Sequence, residues 1–295
     1  MTSIIQADAL TRRFGRVGAV DDVTFTVDEV GILGLLGRNG AGKTTLMKLL
    51  TGQDFATSGT ARLFGASPVE NAGVLRRVCF VKESQTYPDS FKGRHVLAAA
   101  PWFFENWDAD LAMGLAEELK APLDRPIKKL SRGQRSAIGV IVGLASRAEL
   151  TFFDEPYAGL DAVARHVFYD RLLEDFSRHP RMIVLSTHLI DEAADLLERV
   201  LVIDEGRLVI DAEADALRAS ATTLTGSALA IDDIARGHEV LNREQLGGTA
   251  AVTIAGLSEG DLARATAAGL ERSPVSLQQL VVHRTRGAVR EEIAS

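Results

Sequence analysis

The sequence predicts an α/β fold, a mixed sheet core carrying a helical subdomain, with a small α+β extension towards its C-terminus. Three observations predict it. Gly37-Arg38-Asn39-Gly40-Ala41-Gly42-Lys43-Thr44 fits the phosphate-binding P-loop pattern G-x-x-x-x-G-K-[ST]. Apolar runs of strand length, Val30 to Leu36, Leu150 to Phe153 and Met182 to Leu185, alternate with stretches that are apolar at helical spacing. Each of these runs leads directly into polar residues: the glycine-rich loop, Asp154-Glu155, and Ser186-Thr187-His188. Ligands of open α/β sheets bind outside the carboxyl ends of the strands, so the three can converge on one edge.

Taken in order, residues 4 to 36 read as short strands and turns. Val23, Phe25 and Val27 alternate with polar residues, as in a half-buried strand, and Arg12 to Gly15 reads as turn-like. After the P-loop, Thr45 to Leu50 is apolar at helical spacing and Gly52 is placed to stop the helix. Gly59 to Gly65 predicts a strand between glycines, and Val78 to Val81 another, leading into Lys82-Glu83-Ser84-Gln85. Residues 87 to about 146 read as mainly helical and hold both tryptophans, Trp102 and Trp107. Ser131-Arg132-Gly133-Gln134 opens an apolar helix that runs through Leu144. Helices are predicted around Ala162 to Phe176 and over a face of Leu189, Ala193 and Leu196. Val200 to Ile203 and Leu208 to Ile210 predict a hairpin turned at Asp204-Glu205-Gly206.

Ser220 to Ser227 is rich in Ala, Thr and Ser and reads as a linker. The expected division is therefore a domain over 1–219 and an extension over 220–295 with a regulatory role. In the extension, Ala250 to Ile254 predicts a strand. Asp261 to Leu270 and Leu277 to His283 predict helices, the second opened by a Ser276–Gln279 capping box. The extension carries no chemical motif.

Composition narrows the function classes. An apolar fraction of 46% suffices for a sizeable core. A net charge of −7 argues against nucleic acid as a partner, because binders of the phosphate backbone show basic excess. Cys79 is the only cysteine, so no internal disulfide forms and a reducing cytosol is expected. No apolar run approaches the roughly 20 residues that cross a bilayer, and the N-terminal stretch with Asp8 is not expected to be a signal peptide. A membrane role therefore requires a partner.

The loop pattern carries its own chemistry. Its glycines let several backbone N–H groups face one anion, and the following helix adds positive potential. Lys43 would reach the terminal phosphates of a nucleotide and Thr44 would hold Mg²⁺. Asp154 at the end of a strand can bind Mg²⁺, and Glu155 can orient or deprotonate the attacking water. Ser131 to Gln134 forms an S-x-x-Q capping box, and a capped helix start is also an anion site. A second phosphate-binding helix start makes sense if it serves the nucleotide of another subunit.

Jointly these motifs resemble the nucleotide-binding subunit of ATP-binding cassette (ABC) transporters, over residues 4 to about 218. Gly37 to Thr44 resembles Walker A. Leu130 to Gln134, reading LSRGQ, resembles the family signature LSGGQ. Leu150 to Pro156 resembles Walker B with the catalytic glutamate, Ala158 to Asp161 the D-loop, and His188 the switch histidine. The resemblance implies an ABC-type P-loop ATPase that uses ATP and Mg²⁺. It implies that Glu155, His188 and Lys43 are catalytic. The nucleotide would be bound by Phe14, stacked on adenine, by Gly37, Arg38, Asn39, Gly40, Ala41, Gly42, Lys43, Thr44 and Thr45, and across a dimer by Ser131, Gly133, Gln134 and Asp161. The metal would be held by Thr44, Asp154 and either Glu83 or Gln85.

The sequence departs from the family pattern where the Q-loop glutamine aligns with Glu83, where Arg132 replaces a signature glycine, where Arg38 replaces a frequent proline, and where Thr151 interrupts the Walker B run. Arg132 loses backbone freedom and adds a cation close to where a phosphate would lie; the Thr and the Glu are not disabling, so an active ATPase is expected. The implied protein is the ATPase of a membrane exporter, at the cytoplasmic face of the cell membrane. Its partners are a transmembrane permease subunit and a second ATPase subunit, identical or not, in a head-to-tail dimer. The membrane contact would use the Glu83–Gln85 loop and the aromatics Tyr87, Phe91, Trp102, Phe103, Phe104 and Trp107. An importer ATPase and a soluble, non-transport ABC ATPase are the alternatives. A GTPase lacks its Asn-Lys-x-Asp motif.

Overall fold

The computed structural model describes residues 3–83 and 85–283. These divide into two compact units, the first formed by Met1–His188 and Leu196–Asp211, the second by Leu189–Asp195 and the chain from Ala212 onward.

The first unit holds two sheets. Strands β1 (Ile5–Phe14), β2 (Val17–Val27) and β4 (Ser58–Leu63) form an antiparallel sheet in the order β2-β1-β4. Strands β3 (Gly31–Leu36), β5 (Val78–Val81), β6 (Leu150–Asp154), β7 (Met182–Thr187), β8 (Arg199–Asp204) and β9 (Arg207–Glu213) form the second, in the order β5-β6-β7-β3-β8-β9. The pairs β5–β6, β6–β7, β7–β3 and β3–β8 are parallel. Every residue of β3, β6 and β7 is buried, as expected of parallel strands covered on both faces. Helix α1 (Lys43–Leu50) contributes Leu46 and Met47 to a core shared with Ile5, Leu10 and Phe25 of the antiparallel sheet and Leu33 and Phe152 of the parallel one. Fully burying side chains of this size stabilises by roughly 1.5–3 kcal/mol each.

The stretch from 87 to 146 is helical, with α3 (Gly93–Ala99), α4 (Ala109–Glu118) and α5 (Arg132–Ala145), preceded by the short α2 (Ala72–Leu75). Val96, Ile127, Leu130 and Ile138 form its core, with Tyr87 and Phe91 packed on it. Helix α6 (Ala162–Arg178) runs between β6 and β7, and α7 (Ile190–Ala193) follows β7. The predicted hairpin is β8–β9.

The second unit contains α8 (Ala214–Ala219) and then β10 (Ala221–Ser227), α9 (Ala228–Ala235), β11 (Val240–Leu246), β12 (Thr249–Ala255), α10 (Glu259–Ala267) and β13 (Glu271–Pro274). Its antiparallel sheet has the order β11-β12-β10-β13. A β-α-β-β-α-β chain with its first and third strands central is the ferredoxin-like arrangement. Leu224, Ile231, Ile234, Val252, Ile254 and Ala265 form its core. Pro274, which cannot donate to a ladder, lies on the edge strand β13.

Three expectations need correction. Ser220 to Ser227 is not a linker: Ala221–Ser227 is a central strand, bonded on one side to β12 and on the other to β13. Its single large apolar residue, Leu224, hides a Thr-rich strand whose stability comes from its neighbours. Arg12 to Phe14 belong to β1, and the turn falls on Gly15 and Arg16. After His188 the helix is broken, with α7 followed by a 3₁₀ turn over Ala194–Leu196. Ile190 and Ala193 are its buried residues, whereas Leu189 and Leu196 are only partly buried.

Candidate functional site

Register explains how residues far apart in sequence meet. Leu35 of β3 pairs with Ser186 of β7, which pairs with Asp154 of β6. Three adjacent parallel strands therefore end at one level. The next residues of each, Gly37 to Lys43, Glu155, and Thr187 with His188, share one edge.

The loop after β3 delivers α1 with an open N-terminus. Its N-cap is Gly42, at φ 111°, and no side chain caps the first turn. A Cβ on Gly42 would lie 2.2 Å from the carbonyl oxygen of Ala19, so only glycine brings the loop this close to β2. The first-turn N–H groups have no side-chain acceptor and are placed for an anion. Arg38, Asn39, Gly40 and Thr44 are exposed, Gly42 and Thr45 half-buried, Ala41 and Lys43 buried. Lys43 Nζ donates to the carbonyls of Gly37 at 2.7 Å and Arg38 at 3.2 Å, and lies 3.5 Å from Glu155 Oε1.

Thr44 Oγ1 donates to Asp154 Oδ2 at 2.7 Å. Asp154 is buried, and its Oδ1 has no hydrogen-bond partner. Burial raises its pKa, the charges of Glu155 and Glu83 add to that, and the Thr44 hydroxyl partly offsets it. A divalent cation fits this donor set: an orphaned carboxylate oxygen and a hydroxyl, beside an anion cradle, is what Mg²⁺ bound with nucleotide phosphates requires. Among the described residues no cluster of three or more His, Cys, Asp or Glu forms a separate metal cage.

Glu155 sits at φ 48°, in the left-handed region, which non-glycine residues occupy at a cost of about 1–3 kcal/mol. The residue is buried, its side chain 9% exposed. Oε2 accepts from His188 Nδ1 at 2.7 Å and from the hydroxyl of Tyr157. Oε1 has no hydrogen-bond partner. Tyr157 and Thr187 are members of this group that the sequence reading did not single out. Nothing in periodicity distinguishes Tyr157 from a core aromatic. Its only signal was a polar tip two residues beyond Glu155.

The remaining predicted residues are placed differently. Ser131 Oγ accepts from Gln134 N at 3.2 Å and Gln134 Oε1 from Ser131 N at 3.1 Å, so the capping box forms and both side chains serve α5. Gly133 abuts Gly159, where a Cβ would come 2.0 Å from the carbonyl oxygen, and Ser136 Oγ donates to the Ala158 carbonyl at 2.6 Å. The signature-like turn is thereby packed against the turn that follows Glu155. Asp161 caps α6, accepting from Ala164 N at 2.8 Å. Phe14 ends β1, half exposed, with the Arg12 guanidinium 4.5 Å from its ring centre and Arg12 paired in turn with Asp54.

Two departures from the family pattern meet each other: the Arg132 guanidinium is ion-paired with the Glu83 carboxylate. Gln85 lines a cavity of about 1040 Å³ and its Oε1 is buried without a hydrogen-bond partner. Tyr87, Phe91, Trp102, Phe103 and Phe104 also line it, with Trp102 83% and Phe103 66% exposed at its rim. Trp107 is half-buried outside it.

Comparison with known proteins shows what the chain is similar to. A family model described as "ABC transporter" matches residues 20–158. The chain is 33% identical over 222 residues to the Nod factor export ATP-binding protein I of Paraburkholderia xenovorans, covering 73% of each. It is 30% identical over 229 residues to the doxorubicin resistance ATP-binding protein DrrA of Mycobacterium tuberculosis, covering 74% of this chain and 67% of that one. It is 34% identical over 203 residues to the ABC transporter ced-7 of Caenorhabditis elegans, of whose length it spans 12%. A solved ATP-binding subunit of an ABC transporter superposes with a TM-score of 0.66 at 22% identity, covering 74% of this chain and 92% of that one.

Proposed function

The chain belongs to the ABC transporter family, and from that premise we propose that it is the ATP-binding and ATP-hydrolysing subunit of a membrane exporter. One observation carries the hydrolytic reading. Lys43, Asp154, Glu155 and His188 meet at the ends of three adjacent strands, beside an uncapped helix N-terminus. The phosphates of ATP would take the backbone N–H groups of Gly40 to Thr45 and draw Lys43 off its carbonyls. Thr44 and Asp154 would hold Mg²⁺, which neutralises phosphate oxygens when bound; Glu83 or Gln85 would complete that site. Glu155 accepts the proton of the attacking water as its oxygen bonds to the γ-phosphorus. The bridging oxygen leaves with its electron pair on ADP. His188, bonded to Oε2, steadies the carboxylate and faces the same phosphate.

Phe14 would stack on adenine. Ser131, Gly133, Gln134 and Asp161 would complete the site of a second ATPase subunit in a head-to-tail dimer. The export direction is supported by relatives named for Nod factor export and doxorubicin resistance. Among the described residues no helix is long and apolar enough to cross a membrane, and we assign translocation to a permease subunit. The cavity beside Gln85, with Trp102 and Phe103 at its rim, is the surface we assign to that subunit, at the cytoplasmic face of the membrane.

The test is Mg²⁺-dependent phosphate release by the purified chain, with Lys43→Ala as control. Turnover should fall by about 10²–10³-fold or more, the cost of removing a charge-stabilising donor from a preorganised site. Unchanged turnover in the variant would reject the P-loop assignment. Identification of the proteins that co-purify from native membranes tests the permease.

A further inference from the structure

Tyr157 is 3% exposed, and its hydroxyl has more partners than packing requires. It contacts Glu155 Oε2, Thr187 Oγ1 at 2.6 Å, the His188 backbone N at 3.1 Å and His188 Nδ1 at 3.4 Å. Proton counting orders the network. The His188 N–H can only donate, so it donates to the phenol oxygen. A carboxylate can only accept, so the phenol proton goes to Glu155 Oε2. The Thr187–Tyr157 contact then requires Thr187 to donate. The phenol thus gives one hydrogen bond and accepts two, tying the turn after β6 to the end of β7.

We propose that Tyr157 is a positioning residue for ATP hydrolysis: it pins one oxygen of Glu155 so that the other is presented to the attacking water. The inference rests on the reading of Glu155 as the general base. A glutamate side chain has three rotatable torsions, and this one hangs from a left-handed backbone position. With Oε2 held by both Tyr157 and His188, Oε1 is left without a hydrogen bond, 3.5 Å from Lys43 Nζ. Nucleotide binding that draws Lys43 away leaves Oε1 as the aimed acceptor. His188 is the more solvent-exposed anchor, its side chain being 45% exposed, whereas Tyr157 is enclosed. The tyrosine also holds the His188 backbone, so one hydroxyl sets both groups.

Tyr157→Phe removes the hydroxyl and keeps the ring. Its kcat should fall about tenfold, the weight of one charge-assisted hydrogen bond, while KM for ATP and the Kd of a fluorescent ATP analogue stay within error and the melting temperature falls by only a few degrees, the cost of the donors left unpaired. In single-turnover assays of a Glu155→Gln background, adding Tyr157→Phe should change the residual rate less than twofold, because the carboxylate through which it acts is gone. Thr187→Val, which removes the hydroxyl behind the phenol, should give a smaller loss of kcat with the same dependence on Glu155. It carries the test if Tyr157→Phe folds poorly. A Tyr157→Phe kcat within twofold of wild type overturns the proposal, as does an equal fold-loss in the Glu155→Gln background. Wild-type protein inert towards ATP would instead remove the functional reading itself. Active wild type, inactive Glu155→Gln and fully active Tyr157→Phe remove only this inference.

Discussion

The two units treat their polar groups in opposite ways. In the second, the polar groups are closed on themselves. Thr223 and Thr253 bond across the sheet at 2.9 Å, and α10 is capped by Ser258 with Asp261 returning the bond. Among the described residues, no buried side-chain nitrogen or oxygen of that unit lacks a hydrogen bond. The first unit leaves Asp154 Oδ1, Glu155 Oε1 and the start of α1 unfinished, two of them on a backbone or loop in left-handed conformations. Buried polar groups without partners cost free energy. We propose that a ligand completes the structure where these three converge, at the ends of adjacent strands. Among its described residues the second unit offers no such place, and we propose a regulatory role for it.

This contrast can be broken at several points. The largest effect is expected at the unfinished carboxylate. Glu155→Gln keeps its shape but cannot act as a base, so hydrolysis should drop by about 10²–10⁴-fold with ATP still bound. Trapped ATP that binds only the closed dimer stabilises it by mass action. The variant with Mg-ATP should therefore sediment as a dimer, and Ser131→Arg should undo this. A strictly monomeric Glu155→Gln at saturating ATP, alone and with its permease, would falsify the shared-site arrangement.

A smaller effect is expected where the two departures from the family pattern meet. Arg132 and Glu83 are both well exposed, and exposed ion pairs contribute about 0.2–1 kcal/mol. Arg132→Gly and Glu83→Gln should each change turnover less than about fivefold. The double variant, which restores both family residues, should be nearer to wild type than the two losses added. Strict additivity, measured as a double-mutant cycle in kcat, would show that the pair is incidental.

Removing the chain after Ala219 should matter less for binding. All residues assigned to ATP precede it, so the Kd for ATP should change less than about twofold. Turnover is the more sensitive readout. The segment Leu189–Asp195 follows His188 directly and belongs to the second unit, where Arg218 donates to the Ala194 carbonyl and Gln278 N to Asp191. A truncated chain that folds but loses ATP would show the division to be misplaced.

The smallest effect lies inside the second unit. Hydrogen bonds from Ser258 and the guanidinium of Arg264 hold the Asp261 carboxyl well below the usual carboxylate range. A folded pKa below the unfolded value stabilises fully above about pH 4 and is lost as pH falls towards the folded value. Asp261→Asn should therefore lower the melting temperature of this unit by a few degrees at neutral pH, with the difference fading in strong acid. A difference that persists undiminished in acid would mean that the loss comes from packing rather than charge.

Much of the first unit was legible because its chemistry is contiguous in sequence. A P-loop needs eight consecutive residues between a strand and a helix, and fully buried parallel strands show as unbroken apolar runs. Lys43, Thr44, Asp154 and Glu155 could be named from such local patterns, the capping box at Ser131 from its spacing, and His188 only from its place in the family's series of motifs. What the sequence by itself determined, then, was the set of elements and the residues that end them.

Tertiary structure decided which of those residues touch. The order β6-β7-β3 places Glu155 beside His188 and Lys43, and no local pattern encodes strand order. The same holds for Tyr157, whose role depends on the Thr187 hydroxyl and the His188 backbone N–H, supplied 30 and 31 residues later. It holds for the pairing of Arg132 with Glu83, which turns two separate departures into one contact. It holds for Ala221–Ser227, a strand only because β12 and β13 flank it. Strand pairing and ion pairing between distant residues are enforced by burial and register. Those are properties of the packed chain, and a window of sequence does not contain them.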